Sequence, residues 1–230
     1  MKKIFFLLAA MAMTFGAKAQ IVESSAKTIK VEAAKPKSGY NRIMFNYSPV
    51  FVTPYSGDKS SEGITMHGGS MSYTRGISVS KKLPMFIETG LGWQINNGDD
   101  LTLMRFNIPV AFTYRFGFGE NKQIKISPFT GFNFGINALT KISGEYYSKS
   151  IEDNYKRFQM GWLIGANFTF KRFNIQIAYT LDFMPLYQED ATTVTVPYYN
   201  SYYDYGYSTV TYPEYKEKTG TLVVGLGWEF

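Results

Sequence analysis

The chain has 230 residues, 17% of them aromatic and 18% charged, with 21 glycines, one histidine, no cysteine and a formal charge of +6. That length suits one domain, and so many aromatics and glycines beside so few charges is unlike a helical protein. Without cysteine the chain can carry no cysteine-linked lipid, disulfide or thiolate metal site.

Lys2 and Lys3 precede an apolar run, Ile4 to Ala12, and Ala17-Lys18-Ala19 precedes Gln20. This is the layout of a secretory signal peptide, residues 1–19, cut after Ala19. A membrane anchor is the alternative, but a spanning helix needs about 20 apolar residues, and neither this run nor any later one is that long. Removing Lys2, Lys3 and Lys18 takes three positive charges and leaves +3, so the basic balance does not imply nucleic acid. Residues 20–39 are polar, lysine-rich and free of aromatics, and read as a flexible periplasmic lead-in.

From Tyr40 the chain alternates at period two, the repeat of a strand with two different faces. Eight such stretches follow: 40–54, 64–80, 84–96, 101–118, 123–140, 157–170, 173–187 and 218–230. Residues 40–230 therefore read as one eight-stranded antiparallel, up-and-down, transmembrane β-barrel. The even number is what a bacterial single-chain barrel requires. In the fourth strand Met104, Phe106, Ile108, Val110, Phe112, Tyr114 and Phe116 share one face, and Arg105, Asn107, Pro109, Ala111, Thr113 and Arg115 share the other. The sixth sets Phe158, Met160, Trp162, Ile164, Phe168 and Phe170 against Gln159, Gly161, Gly165, Asn167 and Thr169. In the seventh, Phe173, Ile175, Ile177, Tyr179, Leu181 and Phe183 oppose Asn174, Gln176, Ala178, Thr180 and Asp182. Only Lys171-Arg172 separates the last two, so Phe170 and Phe173 must pair and share a face, which they do.

Alternation alone does not say which face is outside, and a soluble lipocalin-like barrel is the alternative. Volume separates the two, because eight strands enclose an interior just wide enough for side chains to fill. The bulky residues of every strand cannot all point inward. Gly76, Gly90, Gly92, Gly131, Gly135, Gly161, Gly165, Gly225 and Gly227 lie on the polar face, where space is short. The polar face is therefore the lumen, and an exterior so apolar needs lipid. Short connections at 80–83, 119–122 and 171–172 read as periplasmic turns, and 55–63, 141–156 and 188–217 as extracellular loops. The segment 97–100 is short for its extracellular side. Arg75 is a second misfit, since it follows Met71 and Tyr73 on the lipid face, where a midplane arginine costs about 2–4 kcal/mol. A bulge near Gly68-Gly69 or Gly76, or snorkelling, would accommodate it.

The last strand, Thr221 to Phe230, points Leu222, Val224, Leu226, Trp228 and Phe230 to one side. Gly225, Trp228 and Phe230 resemble the C-terminal signal by which outer-membrane proteins reach the barrel assembly machinery; Val223 departs from it, that position being usually polar. With the signal peptide and the eight strands, the mature chain resembles small outer-membrane barrels of the OmpA/OmpX type. It is more closely similar to the outer-membrane β-barrel domain (PorT-like) proteins of Bacteroidetes. The resemblance implies an outer-membrane location among lipid and lipopolysaccharide, and little about activity, since that fold hosts structural proteins, adhesins, secretion components and lipid enzymes.

Lumen charges are expected at Arg42, Glu88, Arg105, Arg115, Lys125, Asp182 and Glu229, read either as an ion path or as a salt-bridged plug. Eight strands leave no room for an open channel and buried charges persist only when paired, which favours the plug, with Glu88 and Glu229 beside Arg115 and Arg42 at the periplasmic end. His67 is the only histidine. A lipid-modifying enzyme would need it beside a serine, and Ser70 and Ser72 are near in sequence, but no motif supports a triad. No catalytic, cofactor or metal site is read from the chain, which lacks a phosphate-cradling glycine loop and metal-ligand spacing.

The last loop differs from the others. Tyr198, Tyr199, Tyr202, Tyr203, Tyr205 and Tyr207 crowd it, and tyrosine gives broad contact area at low entropy cost. Thr192–Val196 and Ser208–Tyr212 alternate like strands, so the loop is expected to continue strands seven and eight as a hairpin with a tyrosine-rich tip. It either binds an extracellular protein or glycan or merely caps the barrel. Three functional classes stay open: a non-enzymatic surface barrel presenting this hairpin, a small transport pore or envelope secretion component, and a lipid-modifying enzyme.

Overall fold

The computed structural model describes residues 32–33, 39–80, 82–98, 101–119, 123–142, 155–200 and 204–230. The signal peptide and most of the lead-in lie outside them. Ten strands are numbered here: β1 (Gly39–Tyr47, continued by Val50–Ser56), β2 (Ile64–Ser78), β3 (Met85–Gly98), β4 (Leu101–Tyr114, continued by Phe116–Phe118) and β5 (Ile124–Ile142). Then come β6 (Phe158–Phe170), β7 (Phe173–Asp182, continued by Tyr187–Glu189), β8 (Thr192–Asn200), β9 (Asp204–Tyr212) and β10 (Tyr215–Glu229). Each of β1–β6 pairs antiparallel with the next, and β10 pairs with both β7 and β1. These eight strands close a barrel, which leaves no sheet edge inside the wall.

Three details of the wall follow from local chemistry. Phe170 and Phe173 pair directly across the two-residue turn, where Lys171 takes φ 55° as the first central residue of a tight hairpin can. Between β3 and β4 the pairing lapses from Gly90 to Leu91 opposite Ile108-Pro109 without a change of register, because Pro109 has no N–H to give. At Met104/Arg105 the register against β5 shifts by one, leaving Ala138 as the extra residue of a bulge.

The structure corrects the strand reading at several places. Glu32–Ala33, assigned to the flexible lead-in, pairs with Gly117 and Phe116. The first strand begins at Gly39 and is interrupted at Ser48-Pro49, while the last begins at Tyr215, three residues early. β8 and β9 pair with each other as a separate two-stranded sheet and do not simply prolong the barrel strands. Only Tyr187–Glu189 and Tyr215–Glu217 continue β7 and β10 upward before the chain leaves the wall.

From the short-turn end to the barrel's middle, Phe45, Leu91, Phe132, Ile177, Leu226 and Trp228 stand exposed on the outside, whereas Arg42, Asn46, Arg105, Asn167 and Thr169 are buried inside. Nearer the long loops the pattern inverts. Val50, Val52, Met66, Leu101, Leu103 and Leu186 are buried together within the wall, with Tyr155 packed against them, while Thr53, Thr102 and Lys218 face out. An apolar exterior suits lipid and an apolar interior suits water outside, so the inversion marks where the wall leaves the bilayer. A smaller apolar belt, Ala111, Phe129, Leu163 and Ala178 with Val223, lies inside at mid-height. That belt gives the unexpected Val223 its place: it pairs with Ala178 and completes a packed layer.

Candidate functional site

Two polar layers cross the lumen on either side of the belt. At the short-turn end Arg42 on β1 reaches Glu88 on β3 (2.8 Å), and Tyr40 hydrogen-bonds the same carboxylate. Arg115, just past Tyr114, grips Glu229 on β10 through both carboxylate oxygens at 2.8 and 2.7 Å, and Lys125 on β5 adds a contact of 3.2 Å. The Arg115 guanidinium also lies 3.9 Å from the centre of the Tyr40 ring. Glycine makes room for this layer, since any side chain at Gly76 would run into the Tyr40 ring.

On the loop side of the belt, Arg105 spans from β4 to Asp182 on β7 (3.1 Å) and donates from Nε to Asn137 Oδ1 (3.0 Å) and from Nη2 to Gln159. Thr219 hydrogen-bonds Asp182 from β10. Gln94 and Asn96 continue the layer, Asn96 donating to the Ser48 carbonyl at 2.7 Å. The bulge at Ala138 places Asn137 against Arg105, and Gly135 leaves space for the arginine's methylenes. Between the two layers lies a cavity of about 90 Å³, walled by Asn46, Ser70, Ser72, Asn107 and Thr221 and by the apolar belt. It has room for about three waters, and Asn46 Oδ1 and Thr221 Oγ1 have no protein partner and would bond them. All seven charged lumen residues singled out in the sequence therefore fall into these two layers, and the six polar residues Tyr40, Gln94, Asn96, Asn137, Gln159 and Thr219 join them. Neutral amides and hydroxyls carry no strong signal in a single sequence, which is why charge alone does not point to those partners.

His67 lies on the outer face beside Tyr47, whose hydroxyl is 2.6 Å from Nδ1, and the two rings stack. Ser70 and Ser72 are at the opposite parity and line the lumen. The wall stands between histidine and serines, so this trio assembles no nucleophile and base. Among the described residues no group of three metal-ligating side chains occurs.

Above the inversion, Tyr187 bonds Glu189, Tyr215 donates to Glu217 at 3.1 Å, and the rings of Tyr155, Tyr187 and Tyr215 meet edge to face. Burial raises the Glu217 carboxyl above its usual range, and burial with the adjacent Glu217 charge pushes Tyr215 up to about 12. The half-exposed Glu214 is held below its usual value by its hydrogen bond and charge contact with Lys216 (2.9 Å). Beyond this collar stands the β8–β9 ribbon. Thr192–Pro197 and Tyr207–Tyr212 are exposed on both faces, Tyr207 at 77%. Tyr198, Tyr199 and Tyr205 sit on its paired residues, and Tyr202 and Tyr203 fall outside the described residues.

Residues 100–188 match the family model described as "Outer membrane protein beta-barrel domain". No curated protein matches the chain. Similar solved structures include Ail, the attachment invasion locus protein of Yersinia pestis, at 12% identity and TM-score 0.40, covering 84% of this chain and 100% of that one. Neisserial surface protein A follows at 11% and 0.39, covering 82% and 97%, and OprG from Pseudomonas aeruginosa at 9% and 0.41, covering 88% and 99%. The matched domain and the lipid-facing wall describe a protein of the outer membrane.

Proposed function

We propose that this outer-membrane barrel is a non-enzymatic surface protein that presents the tyrosine-rich β8–β9 ribbon for adhesion or for binding an extracellular protein or glycan. The observation that carries the reading is the ribbon itself, which among the described residues is paired only to itself and is exposed on both faces over 192–197 and 207–212. A two-stranded hairpin alone in water is marginally stable, and tyrosines at its tip offer rigid, amphipathic contact area to a partner. In this reading Arg42, Glu88, Arg105, Arg115, Lys125, Asp182 and Glu229 form a structural plug, each charge in contact with one of opposite sign across the lumen. Gly225, Trp228 and Phe230 serve the barrel assembly machinery, and lipid with lipopolysaccharide surrounds the wall. The placement of His67 and the serines on opposite faces argues against a lipid-modifying enzyme.

The test replaces residues 190–213 by Gly-Asn-Gly, which leaves the paired Tyr187–Glu189 and Tyr215–Glu217 segments in place. Folded barrel, read by heat-modifiable gel migration, should persist, and whole-cell binding to immobilised extracellular proteins and glycans should fall. Normal folding with undiminished binding would reject the recognition role, and lost folding would make the ribbon a structural cap. Robust ion-selective conductance of the wild type in planar bilayers would overturn the plug.

A further inference from the structure

Arg75 has no place in the surface-binding reading. Its register against β1 and β3 is continuous from Gly69 to Ile77, so no bulge turns it inward, and it stays exposed on the lipid side. It makes no ion pair with any described residue. Its direct cross-strand neighbours are Asn41 on β1 and Thr89 on β3, both outward and both partly exposed. Tyr73 donates to Asn41 Oδ1 at 2.7 Å. That bond takes one lone pair of the amide oxygen and orients the amide, whose N–H groups can donate together with the Thr89 hydroxyl and the guanidinium.

The height of this cluster is fixed by its neighbours. Asn41 exchanges backbone hydrogen bonds with Phe230, at the end of the wall that carries the short turns. Toward the membrane centre stand Ile43, Met71, Tyr73 and Leu91, with Met71, Tyr73 and Leu91 strongly exposed. Toward the short turn the next outward pair, Ile77 and Ile87, is also exposed, so the arginine stands within the apolar band, and its long stem carries the guanidinium along that surface toward the interface. Donors gathered around a planar cation, next to a surface that accommodates acyl chains, match a phosphodiester attached to lipid tails.

We propose that Arg75, Asn41 and Thr89 form a binding site for the phosphate of a glycerophospholipid in the periplasmic leaflet, its acyl chains lying over Met71, Tyr73 and Leu91. The guanidinium takes two phosphate oxygens side by side, and the amide and hydroxyl donate to the remaining acceptors. Because the phosphate is recognised, phosphatidylglycerol and phosphatidylethanolamine both fit.

Native mass spectrometry of the purified, folded barrel in detergent containing phosphatidylglycerol, phosphatidylethanolamine or diacylglycerol tests the site. The wild type should retain one phospholipid of either kind and no diacylglycerol. Arg75→Gln should lower retention about tenfold, the loss of one charge-assisted bidentate contact, with Arg75→Lys intermediate. Asn41→Ala with Thr89→Val, which keeps the arginine, should lower it less. Inorganic phosphate should not compete. Equal retention by Arg75→Gln with normal heat-modifiable migration would overturn the proposal, as would equal retention of diacylglycerol. Competition by inorganic phosphate would make this a free-anion site and overturn the lipid assignment.

Discussion

Arg105→Leu is the sharpest test of how the lumen is held. Arg105 is 1% exposed, and its removal strips Asp182, equally buried, of its only cationic contact among the described residues, at 3.1 Å. The Thr219 hydroxyl remains on that carboxylate, and Asn137 Oδ1 loses its donor. Breaking a buried pair by deleting one member costs about 3–5 kcal/mol, and an orphaned neutral acceptor adds about 1–3 kcal/mol where water cannot reach it. The cavity below the layer offers some water, so the lower end, about 3–4 kcal/mol, is expected. Removing both charges, Arg105→Leu with Asp182→Leu, should recover most of that loss, because a buried pair exchanged for apolar groups is often neutral. Reversible urea unfolding in lipid vesicles, followed by tryptophan fluorescence, reads all three stabilities. A single variant within about 1 kcal/mol of wild type, or a double variant as unstable as the single, would refute the pairing argument. Conductance appearing without loss of stability would instead make Arg105 a gate.

Three further outcomes follow from other parts of the wall. Deleting Phe230, or changing Trp228 and Phe230 to serine, should reduce heat-modifiable barrel in outer-membrane fractions, because both are half-exposed on the lipid face of the closing strand; an unchanged folded yield would detach them from assembly. Gly76→Val should cost about 1–3 kcal/mol by pushing the Tyr40 ring off Glu88, and a neutral effect in the same urea titration would show that the ring yields. Glu217, raised by burial, binds its proton more readily folded than unfolded, so lowering pH toward its ordinary value of 4.5 should stabilise the collar. Below that value protonation of Glu214, whose folded value is depressed, removes its pairing with Lys216. Hydrogen exchange of amides 215–219, corrected for intrinsic rates, should show slower opening at pH 5.5 than at pH 8, and Glu217→Gln should abolish the difference; an unchanged pH slope in that variant would exclude Glu217 as its source.

Period-two alternation was legible because it repeats a single physical demand, lipid on one face and a crowded lumen on the other. It therefore located the eight strands and the seven lumen charges by parity alone. It is blind to which face is apolar when the surroundings change along one strand. Met66 and Met71 are both methionines of β2, yet Met66 is fully buried inside the wall and Met71 exposed to lipid; their odd separation puts them on opposite faces, and each suits its own height. The same blindness hid the belt of Phe129, Leu163 and Val223, apolar residues at lumen parity whose only sequence signal was that they broke the polar pattern. Such exceptions carry information: Val223 turns out to pack the centre, and Arg75, the opposite exception, stays on the lipid face with its register intact. Inside the barrel a residue that breaks the alternation without shifting the register is answered by other residues of the chain, as Val223 is by Ala178, Leu163 and Phe129. On the outer face no described residue answers Arg75, and the partner proposed for it is a membrane lipid.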